Sequence, residues 1–153
     1  MSSLELKIPP LLLVGAVAAA MALLARWLPA LGFTLPAKPL MVAALAAAGA
    51  TLAVLGVRAF VRARTTVDPR LPHESSQLVR GGVYRVSRNP MYLGMALLLA
   101  AWGLQLANLA ALLGLPLFVL YMNRFQIGPE ERGLRRKFGS DFDQYRAAVR
   151  RWL

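Results

Sequence analysis

Few residues in this 153-residue chain could do chemistry. There is no cysteine, which excludes disulfides, zinc–thiolate sites and thiol nucleophiles, and the single histidine, His73, makes a multi-histidine metal site untenable. Two polar groupings remain, each set beside apolar sequence. The first is Ser76-Gln77-Leu78-Val79-Arg80-Gly81-Gly82-Val83-Tyr84 followed by Arg88-Asn89-Pro90-Met91-Tyr92-Leu93-Gly94. Gly81-Gly82 permits positive φ and close backbone approach. Asn89 suits an N-cap, and Pro90 suits the first helical position, where its missing N–H costs nothing. A helix N-terminus beside Arg88 can hold a carboxylate. The plain alternative, a well-capped helix and nothing more, has equal claim on the same pattern. The second grouping is Glu130-Glu131, directly after an apolar run and close to Arg124 and Gln126. Two acids there favour the first turn of a helix, and acids at a membrane boundary can also serve a site.

The elements that must position these groups are apolar helices. Hydrophobic residues make up 58% of the chain and charged residues 16%, against about 45–50% and 25% in soluble domains. The fold class expected is therefore all-α and integral to a membrane, in one domain spanning 1–153. Four membrane helices are expected at 9–28, 39–60, 91–107 and 108–124. The first two are long enough to span about 30 Å of hydrocarbon. The last two form a shorter hairpin turning at Asn108. The first stretch has a weak charged start and no small-residue cleavage site, so it reads as a helix and not as a signal peptide.

Charge supplies the orientation. Arginines 58, 62, 64, 70, 80, 85 and 88 crowd the segment before the third helix, and eight basic residues lie in the tail from Arg124. The connection near 29–38 has only Lys38, and the Asn108 turn has none. The positive-inside rule places a 65–90 loop, the 129–153 tail and both termini in the cytoplasm. Most of these arginines are explained by topology and by attraction to anionic lipid. Nucleic acid is not expected as a partner, since the basic loop offers only Tyr84 for stacking and carries no recognition motif. The tail is amphipathic: Leu134, Phe138, Phe142, Tyr145, Val149 and Trp152 recur every three or four residues, with a break expected at Phe138-Gly139-Ser140.

These segments together resemble the isoprenylcysteine carboxyl methyltransferase family and its relatives, the membrane phospholipid N-methyltransferases. The resemblance rests on four motifs in order. They are Leu78-Val79 through Tyr84; Arg88-Asn89-Pro90-Met91-Tyr92-Leu93-Gly94; Glu130-Glu131-Arg132-Gly133-Leu134; and Phe138-Gly139-Ser140-Asp141-Phe142-Asp143-Gln144-Tyr145. They cover about residues 76–150 and enclose one hydrophobic hairpin.

The resemblance implies S-adenosyl-L-methionine as cofactor and methyl transfer at the cytoplasmic membrane face. It implies cofactor contacts from Gln77, Leu78, Val79, Tyr84, Arg88, Asn89, Pro90, Tyr92 and Glu130. The N-terminus of the third helix would take the methionyl carboxylate. Arg124 and Gln126 would face the acceptor, with Glu131 supporting Arg124 or its neighbours. Two positions depart from the family pattern. Asn89 stands where the family has histidine, so it should position the cofactor and not act as a base. Gln126 stands at about the place of a substrate-linked arginine, which disfavours a prenylcysteine carboxylate. The expected acceptor is lipid-like or a small hydrophobic molecule reached from the bilayer, in a protein of the bacterial inner membrane. Two other functions compete: a non-enzymatic membrane scaffold with a lipid-binding tail, and a reductase of the related sterol reductase type. The sequence leaves the oligomeric state open.

Overall fold

The computed structural model describes residues 5–65 and 76–153. The 66–75 part of the expected cytoplasmic loop, with His73, lies outside the described residues. Seven α-helices follow in order: α1 (Pro10–Trp27), α2 (Lys38–Arg62), α3 (Pro90–Leu106), α4 (Leu109–Leu112), α5 (Gly114–Tyr121), α6 (Gly128–Phe138) and α7 (Ser140–Ala148). A π-helical turn, Met122–Ile127, joins α5 to α6. Short 3-10 turns lie at Pro29–Leu31 and Gly82–Arg85. Among the described residues there is no strand beyond an isolated bridge between Gly32 and Asn108.

Prolines sit in the first turns of α1, α2 and α3, where a helix has N–H groups to spare. The α3–α4 hairpin turns where Ala107 takes a left-handed conformation and Asn108 caps α4. The Asn108 Oδ1 accepts from the amides of Ala110 and Ala111 at 3.0 and 3.3 Å. Its Nδ2 donates to the Leu28 carbonyl at 2.8 Å, tying the hairpin tip to the end of α1. Three helical stretches are long and apolar enough to cross a membrane: α1, α2 and the run Leu109–Phe138. The 17-residue α3 is apolar but shorter, about 26 Å at 1.5 Å per residue.

The run from Leu109 to Phe138 differs from the expected helix at 108–124, because it does not stop at residue 124. Pro129 has no N–H to offer the Phe125 carbonyl four residues back, and its ring crowds that carbonyl. The π-turn widens the helix there, with the Gly128 N–H reaching back five residues to the Asn123 carbonyl. The freed Phe125 carbonyl accepts instead from the Leu6 N–H at 3.0 Å. The tail has the expected break at Gly139, and it differs only in ending its helix before 153. It breaks at Gly139 (φ 52°), resumes as α7, and leaves helical geometry at Val149 (φ −127°, ψ 134°).

Two packing devices hold the bundle. Along α2 and α3, Gly49 and Gly94 face each other so closely that a Cβ on Gly49 would lie 2.7 Å from the Gly94 carbonyl oxygen. Gly56 gives the same room to Met91. Small residues at such a crossing let backbones approach, which is what packs helices when lipid is as apolar as the side chains. On the other side Met21 of α1 is fully buried between Gly103 and Gly114. It joins Leu99, Phe118, Met122 and Ile127 in the core. Leu11, Leu40, Val61, Leu117 and Leu120 point outward.

Gly94→Ala should lower the stability of the detergent-purified protein by about 1–3 kcal/mol, the usual range for overpacking. Gly15→Ala, where nothing lies within 4 Å of the added carbon, should cost nothing. Thermal unfolding of the two variants side by side checks this; equal midpoints would show that the α2–α3 crossing does not need its glycines.

Candidate functional site

The polar end of the bundle is assembled from four chain segments: residues 5–6, the stretch 76–92, the π-turn with α6, and the 141–153 stretch. Glu5 reaches Arg132 at 2.8 Å. The Arg88 N–H donates to the Arg150 carbonyl at 2.9 Å. The Tyr145 hydroxyl donates to the Tyr84 carbonyl at 2.7 Å.

At the centre, Tyr92 lies in the first turn of α3 and is only 4% exposed. Its hydroxyl donates to Glu130 Oε2 at 3.0 Å, and Gln126 Nε2 donates to that hydroxyl at 3.5 Å. Gln126 is fully buried on the π-turn. The widened turn and the start of α6 thus aim an amide and a carboxylate at one phenol.

Glu131, the next residue, faces a different set. It accepts from Arg88 at 2.8 Å and from Arg151 at 3.1 and 2.5 Å, one bond to each of its oxygens from Arg151. Arg88 also donates to the carbonyls of Arg146 and Val149. The Asn89 side chain donates to the Arg151 carbonyl at 3.0 Å, and the Ser87 hydroxyl donates to the same oxygen at 3.4 Å. Asn89 therefore does not cap α3 with its side chain as its type suggests; no such cap bond forms. Its donor is spent on the 149–153 stretch, whose backbone lies beside the start of α3.

Tyr84 is buried in the 3-10 turn, its ring meeting Phe60 edge-on at 5.4 Å. Burial pushes its phenol well up from the usual tyrosine value, and the Glu130 and Tyr145 charges add to the rise. Burial also raises Tyr145, to about 12, against the opposing pull of Arg88 and Arg80. Both phenols are therefore neutral hydrogen-bonding groups throughout the physiological range. Beside Tyr84 a cavity of about 670 Å³ opens between the 77–83 stretch and the end of α2. Such a volume suits a small organic ligand. Gln77, Leu78 and Val79 line it from one side, and Leu55, Ala59 and Ala63 from the other. Gly82, at φ 61°, turns the chain along its rim.

The expected residues thus fall into three places. Gln77, Leu78 and Val79 line the cavity. Tyr84 follows that lining in the chain and lies near Glu130 and Tyr92, which Gln126 joins. Arg88, Asn89 and the buried Pro90 form the junction between α3 and the 149–153 stretch. Arg124 is exposed, with its guanidinium 6.0 Å from the Phe125 ring centre; Glu131 pairs with Arg88 and Arg151 and not with Arg124, and reaches its neighbour Asn123 through Arg151. Sequence reasoning missed Arg58 and Arg62 as cavity residues. It counted them only as topology signals, although their i, i+4 spacing puts both on one helix face. It also missed Asn123, which accepts from Arg151 and from Trp152 Nε1 at 3.5 and 3.1 Å. No short-range pattern connects residues 123 and 151.

Residues 38–141 match the profile of the phospholipid methyltransferase family. The chain belongs to that family. An uncharacterized protein of Haemophilus influenzae is similar to it, 49% identical over 63 residues, which are 41% of this chain and the whole of that relative. No solved structure matches the chain. The family's shared region begins with the first residue of α2 and takes in the cavity, Tyr92, Gln126 and both glutamates. It leaves out α1 and the 149–153 stretch. With the apolar helices, membership of this methyltransferase family makes the chain an integral membrane protein.

Glu131→Ala would leave the Arg88 guanidinium, 9% exposed, without its carboxylate. The expected loss is about 3–5 kcal/mol, as for breaking a buried pair from one side. Asp143→Ala removes the exposed Arg135–Asp143 pair (3.1 Å) and should cost about 0–1 kcal/mol. Denaturant or thermal unfolding in detergent measures both; similar losses would mean that Glu131 is no more than a surface ion pair.

Proposed function

We propose that this protein is an S-adenosyl-L-methionine-dependent methyltransferase acting at the cytoplasmic membrane face on a lipid-like or small hydrophobic acceptor. In this reading the bundle crosses the membrane four times, with both termini and the site in the cytoplasm. The observation that carries it, besides the family match, is the convergence of Tyr92, Gln126 and Glu130 at the arginine-rich end of the bundle, which also holds a ligand-sized cavity.

The donor set fits the cofactor. S-adenosylmethionine carries a carboxylate, an ammonium, ribose hydroxyls, an apolar purine face and a sulfonium. Arg58 and Arg62 offer two guanidiniums for the carboxylate, replacing the α3 N-terminus as its expected partner, since the 149–153 backbone lies there. Leu55, Leu78, Val79 and Val83 offer an apolar wall for the purine, and Gln77 a hydrogen-bonding edge. Glu130 accepts from an ammonium or from ribose hydroxyls, with Tyr92 and Tyr84 as neutral neighbours. Arg88, Asn89 and Pro90 act one step back, holding the wall.

When bound, the cofactor supplies a methyl group already activated by the sulfonium. Held by Arg58, Arg62, Gln77, Leu78, Val79 and Glu130, it would serve in-line displacement by a lone pair of the acceptor, with a thioether as the leaving group. The protein's work is alignment and exclusion of water. Gln126, buried beside Tyr92, and Arg124, at the bundle surface, face the acceptor as it arrives from the lipid. α7 closes the far side, burying Phe142 and Tyr145 and covering Tyr84.

Titrating detergent-purified protein with S-adenosylhomocysteine should give saturable binding, and NADPH should give none. Glu130→Gln keeps the shape and loses the charge, and should weaken binding by about 1.5–3 kcal/mol, the range for a hydrogen bond to a charged group. Absence of binding in the wild type, or NADPH binding in its place, would overturn the assignment. A labelled methyl donor supplied with a membrane lipid extract then identifies the acceptor.

The native chain has no cysteine, so single cysteines at Thr34 and Ser140 report topology directly. They should label from opposite sides of the membrane; labelling from one side contradicts the four-span arrangement.

A further inference from the structure

We infer that Arg151 is the positioning residue of this site, setting the aim of Glu130 at the cofactor through Glu131. The inference rests on the function proposed above for Glu130.

One residue here ties the 141–153 stretch both to the segment ahead of α3 and to the π-turn with α6. The Arg151 carbonyl accepts from the Asn89 side chain and the Ser87 hydroxyl, just ahead of α3. Its guanidinium grips both oxygens of Glu131 at the start of α6. The same guanidinium reaches Asn123 Oδ1 on the π-turn at 3.5 Å, and Trp152 next to it donates to that oxygen at 3.1 Å. The Trp152 ring packs against the core cluster that contains Tyr92.

Geometry explains the need for such a tie. Adjacent residues on a helix point about 100° apart. Holding Glu131 from one side therefore fixes the rotation of the first turn of α6, and that rotation presents Glu130 to Tyr92. Arg88, just ahead of α3, and Tyr92, in its first turn, bond Glu131 and Glu130 respectively, so two links join this end of α3 to α6. Without a third arm, α6 could still turn or slide along those links. Its helical ladder is already interrupted at Pro129 and widened over the π-turn, so the segment has less backbone stiffness of its own. Arg151 supplies the third arm. The side chains of Glu131 and Arg88 are 13% and 9% exposed, enough removed from water for a two-oxygen grip to specify geometry. Asn89 belongs to the same device: its donor engages the Arg151 carbonyl, so it acts on the site through residue 151. The shared family region ends at residue 141, so this arm comes from outside it.

The test uses the full chain in detergent, with Arg151→Gln, Arg151→Lys and the exposed-pair control Arg135→Gln. Binding of S-adenosylhomocysteine is measured by calorimetry, and amide hydrogen exchange over residues 126–131 is followed without ligand. Arg151→Gln should weaken binding tenfold or more and speed exchange in 126–131, with the unfolding midpoint lowered less than in Glu131→Ala, since Arg88 still pairs with Glu131. Arg151→Lys keeps the charge but not the fork, and should fall between the two. Arg135→Gln should match wild type in all three measurements. If Arg151→Gln does not fold, Asn123→Ala, which removes the acceptor shared by Arg151 and Trp152, should show the same loosening in milder form. Unchanged exchange over 126–131 in the Arg151 variants would overturn the inference. So would a lowered midpoint with affinity intact, the mark of a purely structural tie. Failure of the wild type to bind S-adenosylhomocysteine would count against the proposed function, while the ligand-free exchange measurement would still decide the role of Arg151.

Discussion

A helix leaves few backbone carbonyls unpaired, and the site of this protein is organised around a place where proline forces the helical ladder to break. Pro129 removes a donor from the long run after Asn108. The break falls at the polar end of the bundle. There the Phe125 carbonyl finds the Leu6 amide, and the turn widens so that Gly128 bonds Asn123. Much of the site follows from that interruption. The widened turn carries Gln126 inward, and the helix that restarts after it delivers Glu130 and Glu131 in its first turn.

Neighbouring acids then receive opposite environments. Glu131 lies between two guanidiniums, and its charge is consumed in holding α3, α6 and the 149–153 stretch together. Glu130 has a phenol as its partner and no cation bonded to it among the described residues. Glu131 is thus matched by two guanidiniums, whereas Glu130 is matched by none among the described residues. The difference between the two acids is therefore made by about 100° of helix rotation.

The apolar part of the bundle contributes by being dense. In lipid, helices gain little by hiding leucine from solvent, so α2 and α3 adhere through the contact that Gly49, Gly56 and Gly94 permit. That crossing sets the end of α2 against the 77–83 stretch and so fixes the cavity wall that carries Arg58 and Arg62. Met21 between Gly103 and Gly114 does the same for α1 against α3 and α5.

The sequence by itself determined the class of protein, the apolar runs, the hairpin turn at Asn108, the break at Gly139 and the segments that carry chemistry. Each of these is written in local terms: hydropathy over a helix length, a capping side chain, a residue that tolerates positive φ. The order of the motifs also pointed to the family that the comparison shows. Only the tertiary structure decided which polar groups meet. Asn89 looked like a cap and is a donor to the Arg151 carbonyl, and Arg124 looked like the partner of Glu131 and stands apart from it. Arg58 and Arg62 looked like topology signals and line the cavity. The physical reason is range. Capping, helix length and turn propensity act within a few residues, whereas the bonds that sort these side chains join positions 88 to 131, 92 to 130 and 123 to 151, and those distances are set by how whole helices pack.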